Sequence, residues 1–451
     1  MKKFAFAAFL ALGLLALLAP PQAFAADEKP FTLHGEVRFR ADYTSNASDY
    51  DSDVDDAAMY WPYRARIAAE GHFSDNVSAW IEFQNTGVFG EQGLFLGPFD
   101  ATAPRRLNDI RSDTQLYQAA ITLDKLWSDN FSLRFGRQEM VLGNEFLFGD
   151  EDFYSGISHD GVVAMWNHKK WNLTAWYDRA LENVVFQYPG GDVPPAVAGV
   201  GDSSNIDHFG GYLTFAVGKK SVVDVYVFNV NDRPVGGQYQ TVGGRFARDN
   251  WDKGFIWNVE LATQFGTAAS ARFVGGASDI DQSGMGGEGM FGFNFGGGKR
   301  VHRVYGKFEY ATGDDATTTD ENEGFINNWG EVHGRTGKGD WFQVAGNSTF
   351  VSSTNGAGGL QAFSVGYTGR FSDKHEIGAA FWDYSLEEDS GAATGSNLGT
   401  AFDLWYGYTY SKNVTFEASY SNLSPDDALP GGAGAPSDSV ERLYGQVRLR
   451  F

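Results

Sequence analysis

The chain has 451 residues, no cysteine and a formal charge of −22. Without cysteine there is no disulfide framework, thiolate metal site or covalently attached haem, and the acidic balance argues against nucleic acid as a partner. Glycine (57) and the aromatic residues (37 Phe, 20 Tyr, 12 Trp) are abundant while mean hydropathy is slightly negative, a mixture that alternating strands, aromatic girdles and glycine-rich polar loops would produce.

The chain opens with Lys2 and Lys3, an apolar run from Phe4 to Ala19 and an Ala23-Phe24-Ala25 site. This reads as a signal peptide, residues 1–25, removed on secretion. Its loss takes Lys2 and Lys3 from the 35 basic side chains and leaves 33 against 57 acidic ones. No later apolar stretch reaches the ~20 residues that a helical span needs, so a membrane location has to come from strands. Residues 26–451 show no linker or change of composition and read as one all-β domain, a transmembrane antiparallel β-barrel.

From residue 31 onward, large apolar residues recur at period two. The alternation predicts strands at about 31–42, 59–72, 77–87, 113–125, 130–139, 159–167, 171–180, 207–217, 221–231, 254–265, 270–279, 287–296, 301–312, 360–371, 375–386, 401–410, 413–422 and 440–451. Eight short connections rich in turn formers lie among them, at 74–76, 128–130, 168–170, 218–220, 266–270, 296–300, 371–374 and 411–413. Longer Gly-, Asp- and Ser-rich segments alternate with these, as periplasmic turns and external loops do in outer-membrane barrels. With both ends of the sheet on the periplasmic side, eight turns require eighteen strands. The extended stretch Trp341 to Val351 is therefore assigned to the long loop 313–359, which also carries Trp329 and Phe342 and is expected to fold into the pore. The last strand, ending on Phe451, has to pair with the first, because a sheet in lipid cannot leave an open edge.

With large apolar residues toward lipid, the opposite face lines the lumen. The first strand then presents Glu36, Arg38, Arg40 and Asp42, the second Arg64, Arg66 and Glu70, and the last Arg448 and Arg450. Closure makes these three strands neighbours, so six arginines share one wall with three carboxylates. Arg134 with Gln138, and Arg303 with Lys307, face inward elsewhere. Guanidinium groups remain charged and present planar forks suited to carboxylates, so such a wall would attract anions or acidic sugars; alternatively the arginines are counter-ions for Glu36, Glu70, Glu82 and Asp42. Acidic groups such as Asp49 to Asp56, Asp150-Glu151-Asp152 and Asp314 to Glu323 read as solvated loop faces. Ser158-His159-Asp160 has the residue types of a triad, but adjacent strand residues face opposite sides and cannot relay a proton. His72, His168, His302 and His375 fall near the periplasmic rim.

The stretch from Phe131 to Trp166 contains Gly136-Arg137-Gln138-Glu139, Leu142-Gly143 with Glu145 and Leu147, and Asp160-Gly161-Val162. It resembles the signature of the alginate-export family of outer-membrane porins. Fainter likenesses are Arg38-Phe39-Arg40, Phe308-Glu309-Tyr310 and Asp403-Leu404-Trp405-Tyr406. The resemblance implies a monomeric eighteen-stranded barrel and passive, diffusion-driven export through an arginine-lined constriction. The expected function is an outer-membrane channel without cofactor or metal, taking small polar or anionic solutes or an acidic oligosaccharide, with outer-membrane lipid and lipopolysaccharide around it. A docking barrel for an electron-carrying partner is the alternative, and a hydrolase a further one.

Overall fold

Period-two alternation produces strands wherever one face can be greasy and the other polar. The computed structural model describes residues 31–47, 50–89, 113–181, 206–232, 237–268, 280–315, 317–318, 320–327, 329–342, 358–388, 395–429 and 438–451. The segment read as a signal, 1–25, lies outside the described residues. The wall begins with β1 (Phe31–Ser45), β2 (Pro62–Ser74), β3 (Val77–Val88), β4 (Asp113–Asp124), β5 (Phe131–Gln138), β6 (His159–Asn167), β7 (Trp171–Leu181), β8 (Ile206–Val217) and β9 (Ser221–Asp232). It continues through β10 (Gly237–Arg248), β11 (Gly254–Thr267), β12 (Met285–Gly297), β13 (Arg300–Ala311), β14 (Leu360–Arg370), β15 (His375–Ser385), β16 (Asn397–Thr409), β17 (Val414–Pro425) and β18 (Val440–Arg450). Three short pieces complete the 21-stranded sheet: Ala58–Tyr60 and Asp281–Gln282 extend β2 and β12 outward, and Glu321–Asn322 belongs to the loop after β13.

Each wall strand pairs antiparallel with its sequence neighbours, and β1 also pairs with β18 from Glu36↔Arg450 to Ser45↔Glu441. The barrel is closed, with eighteen strands as parity required, but one member of the expected set is different. The expected strand 270–279 lies outside the described residues; β11 pairs directly with β12, and β10, absent from the expected set, joins β9 to β11 in the wall. The fifth short turn accordingly falls at 249–253, between β10 and β11, instead of 266–270.

The outward face is a continuous apolar belt. Phe39, Ile67, Phe83, Phe255, Leu261, Phe291, Phe363 and Phe402 are each more than 40% exposed, a contiguous greasy surface that only lipid can cover. The inner face is mixed. Arginines and carboxylates lie beside inward aromatics such as Trp176, Tyr212, Phe228, Trp382 and Tyr384. Those aromatics pack against two loops, here L3 (139–158, between β5 and β6) and L7 (312–359, between β13 and β14), whose described residues enter the barrel. Phe146, Leu147 and Phe148 of L3 join Trp176, Tyr212, Phe228 and Phe325 in one cluster. Trp341 and Phe342 of L7, together with Phe153 and Tyr154 of L3, join Trp382, Tyr384 and Tyr444 in another. The wall is lowest where L3 leaves it, since β5 and β6 have only 8 and 9 residues against 15 in β1.

Candidate solute path at the L3–L7 constriction

On the closing seam, β18, β1 and β2 stand side by side, and their register puts Arg38 directly across from both Arg448 and Arg64. Like charges directly opposite repel, so a bare wall of this kind would be strained. L3 supplies the counter-charge. The Asp152 carboxylate receives Arg64, Arg66 (3.4 Å), Arg448 (3.0 Å) and Arg450 (3.1 Å). The carbonyls of Asp152, Phe153 and Tyr154 accept from Arg38, Arg40 and Arg64, and the Arg40 guanidinium also lies 3.5 Å above the Phe153 ring. Burial by itself would raise the Asp152 carboxyl; Arg64 and Arg66 outweigh it and hold the group well below the usual carboxylate range. Asp152, expected on a solvated loop face, is instead the hub of the arginine wall. On the wall itself Glu36 takes Arg64 (2.6 Å) and Arg450 (3.0 Å).

L7 is held by a second hub. Asp340 accepts from Arg442 (2.9 Å) and the Tyr154 hydroxyl (2.6 Å) and faces His333 Nδ1 at 2.7 Å. Arg442 also pairs with Asp42 at 2.8 Å. The His333 ring lies flat on Phe153, 3.4 Å between ring centres, so L3 and L7 brace each other. Burial pushes His333 down to about 4 against the pull of Asp340. Arg335 ties L7 to Glu288 of β12 and to the Asn144 carbonyl of L3 (2.8 Å), and Lys338 reaches Glu417 at 3.3 Å.

The inward residues expected from the sequence thus divide. Arg38, Arg40, Arg64, Arg66, Arg448, Arg450 and Glu36 come together at the seam. Glu70 sits at the short-turn end between His34 and His72. Arg134 contacts Gln118 on β4, and Gln138 is buried and donates to the Gly136 carbonyl. Arg303 is engaged by Asn294 and the Asn250 carbonyl, and Lys307 by Glu309 and the Arg335 carbonyl. These last four lie away from the seam. Arg137 faces outward and pairs with Asp160 at 2.6 Å. Sequence reasoning passed over Arg442, His333 and Asp340 as site residues and read Asp152 only as part of a solvated loop face. For Arg442 the signal was present, since it shares the phase of Arg448 and Arg450.

A cavity of about 450 Å³ remains between wall and loops, lined by Arg66, Arg450, Glu139, Glu145, Asp150 and Glu331, with Arg66 paired to Glu139 at 3.4 Å. Burial, reinforced by Glu145, Glu151 and Asp150, pushes Glu331 up to about 8. A second cavity of about 710 Å³ reaches from Arg448, Lys338 and Glu417 toward the short turns at Arg370, Lys374 and Glu376. Arg448 and Arg450, 27% and 56% exposed, stand between the two spaces.

A closed barrel with a lipid-facing belt and a charged bore narrowed by two inward loops is the architecture of an outer-membrane channel. Residues 29–441 match the alginate export family, and the chain belongs to it. Solved structures share the fold at low identity. Pseudomonas aeruginosa OccK8 (OprE) is 13% identical with a TM-score of 0.57, covering 95% of this chain and 99% of that one. OccK2 (OpdF) of the same organism, solved in complex with glucuronate, is 14% identical with a TM-score of 0.57 and the same coverage. Acinetobacter baumannii OccAB2 is 12% identical with a TM-score of 0.58, again covering 95% and 99%. No curated protein matches the chain in sequence.

Proposed function

We propose that the barrel passes small polar or anionic solutes down their gradients, and that hydroxylated acids such as sugar acids suit its constriction best. The observation that carries this reading is the mixed lining of the smaller cavity, where the basic Arg66 and Arg450 share one space with the carboxyl groups of Glu139, Glu145, Asp150 and Glu331. A solute carboxylate fits the planar forks of Arg448 and Arg450, which keep exposed area in the bore. Its hydroxyls can donate to the carboxylates of Glu145 and Asp150, which line the same space. The glucuronate complex of OccK2, a protein of the same fold, agrees with this chemistry. The buried Arg38, Arg40 and Arg64 anchor L3 and act on a solute only through their field, which reaches ~8 Å at physiological salt.

The test is the reversal potential across a salt gradient in planar bilayers. Wild type is expected to prefer anions at moderate salt, with the preference fading as salt rises. Arg448→Ser with Arg450→Ser should shift the potential toward cations and reduce block by glucuronate. An unchanged potential in the double variant would mean that these arginines serve L3 alone.

A further inference from the structure

Away from the seam, three neighbouring strands bring together His159 of β6, Asp178 of β7 and His208 of β8, all facing inward and each no more than 2% exposed. Asp178 and His208 are directly paired across β7 and β8. His159 reaches Asp178 diagonally past Gly161, where any Cβ would meet the Asp178 backbone and Cβ. His159 Nδ1 lies 2.7 Å from one carboxylate oxygen, and His208 Nδ1 lies 3.2 Å from the other in a geometry that makes no hydrogen bond. One ligand atom from each residue falls within 4.8 Å of the others. Ligand atoms about 2.0 Å from a tetrahedral ion are separated by roughly 3.3 Å, and the 3.2 Å between His208 Nδ1 and Asp178 is close to that spacing.

Two observations point to a ligand here. First, His159 Nε2, both nitrogens of His208 and Asp178 Oδ1 are buried without a hydrogen-bond partner, a cost that a native site rarely carries unless something fills it. Secondly, the site is roofed: Phe148 of L3 stands edge-on to His208, Trp329 of L7 packs at 3.8 Å from the same ring, and the Gly149 N–H donates to the Trp329 carbonyl (2.7 Å) above them. Among the described residues, the ion-pair partners of Asp178 are the two imidazoles alone. A buried carboxylate with no permanent cation beside it calls for positive charge.

We propose that His159, Asp178 and His208 form a binding site for one divalent transition-metal ion of the Zn²⁺ type. Two imidazole nitrogens and one carboxylate oxygen are the donors such an ion prefers, and hard ions such as Mg²⁺ or Ca²⁺ are not. The ion cross-links β6, β7 and β8 at the low part of the wall, directly beneath the point where L3 meets L7. The site therefore staples the constriction, whatever solute passes it.

The mature barrel, refolded in detergent with EDTA and then loaded with Co²⁺ during a second refolding, should bind one ion per chain and show the intense visible bands of a low-coordinate nitrogen-containing site. Zn²⁺ should displace it and raise the melting temperature. His208→Gln and Asp178→Asn, checked for folding by heat-modifiable gel migration, should lower Co²⁺ affinity by about tenfold or more. Two results would overturn the proposal. One is a wild-type spectrum of the weak, all-oxygen kind, which the acidic cluster Glu145, Asp150 and Glu331 would give. The other is no stoichiometric binding at all. The wild-type spectrum decides even where a variant fails to fold.

Discussion

At the scale of residues, the arginines and Asp152 depend on one another. The Arg64 side chain has no exposed area and gives two hydrogen bonds to Asp152 atoms and two to Glu36. Asp152→Asn leaves that guanidinium with one carboxylate and removes the charge that Arg66, Arg448 and Arg450 share. Uncompensated buried charge costs on the order of 3–5 kcal/mol, so the denaturant midpoint of the refolded variant should fall clearly below wild type; an unchanged midpoint would show that L3 is held by its backbone contacts alone. Glu331 offers a pH test. With its carboxyl raised to about 8 chiefly by burial, it is protonated at neutral pH, and the folded chain holds a proton that the unfolded chain releases near 4.3. Stability therefore falls as pH rises between those values. Above pH 8 the cavity gains one negative charge, so the reversal potential should move toward cations between pH 6 and 9, and Glu331→Gln should abolish the movement. His333 runs the other way. Buried and lowered to about 4, its neutral form contributes stability above pH 6.5 that is lost as pH falls toward 4, by roughly 3 kcal/mol at most.

At the scale of elements, a loop that enters a barrel needs its own partners, because any backbone group it buries has to be bonded. L3 meets this with wall arginines on its carbonyls, and L7 with Arg442 on Gly339 O and Asp340. Replacing Glu331–Phe342 with a Gly/Ser linker of equal length removes Arg335, Lys338, Asp340 and Trp341 together. Single-channel conductance should rise, and an unchanged value would place these residues outside the conducting path. The glycines that frame L3 are of a different kind. Gly136 (φ +119°) and Gly161 face each other across β5 and β6, and a Cβ on either would run into the Ala119 or Tyr177 carbonyl oxygen. Gly161→Ala should lower the yield of heat-modifiable barrel, whereas a solvent-side change such as Lys169→Ala in the turn between β6 and β7 should not.

At the scale of the molecule, closure is the decisive event. β18 carries Arg442, Arg448 and Arg450 of the seam and half of the hydrogen-bond ladder that seals it, down to the reciprocal bonds between Gly35 and Phe451 (2.9 and 3.0 Å). Deleting residues 440–451 opens two edges that lipid cannot satisfy. No heat-modifiable form should remain, and conductance steps should vanish with it.

Strand identity, the inward and outward faces and the closing pair were legible in the sequence, because period two is a local property and parity counts turns. The same reasoning chose 270–279 over Gly237–Arg248, and the reason is physical. β10 turns Tyr239 inward onto the cluster that L3 completes and leaves Gln238 and Gln240 outside, so its hydrophobic contrast is weak until the loop is in place. The site was legible by half. Phase alone gathered Arg38, Arg40, Arg64, Arg66, Arg448 and Arg450 on one wall, but Asp152 lies 114 residues beyond Arg38 and Asp340 lies 102 before Arg442. The path of L3 and L7 into the bore is settled by charge and packing between segments far apart in the chain, and only the closed barrel brings those partners together.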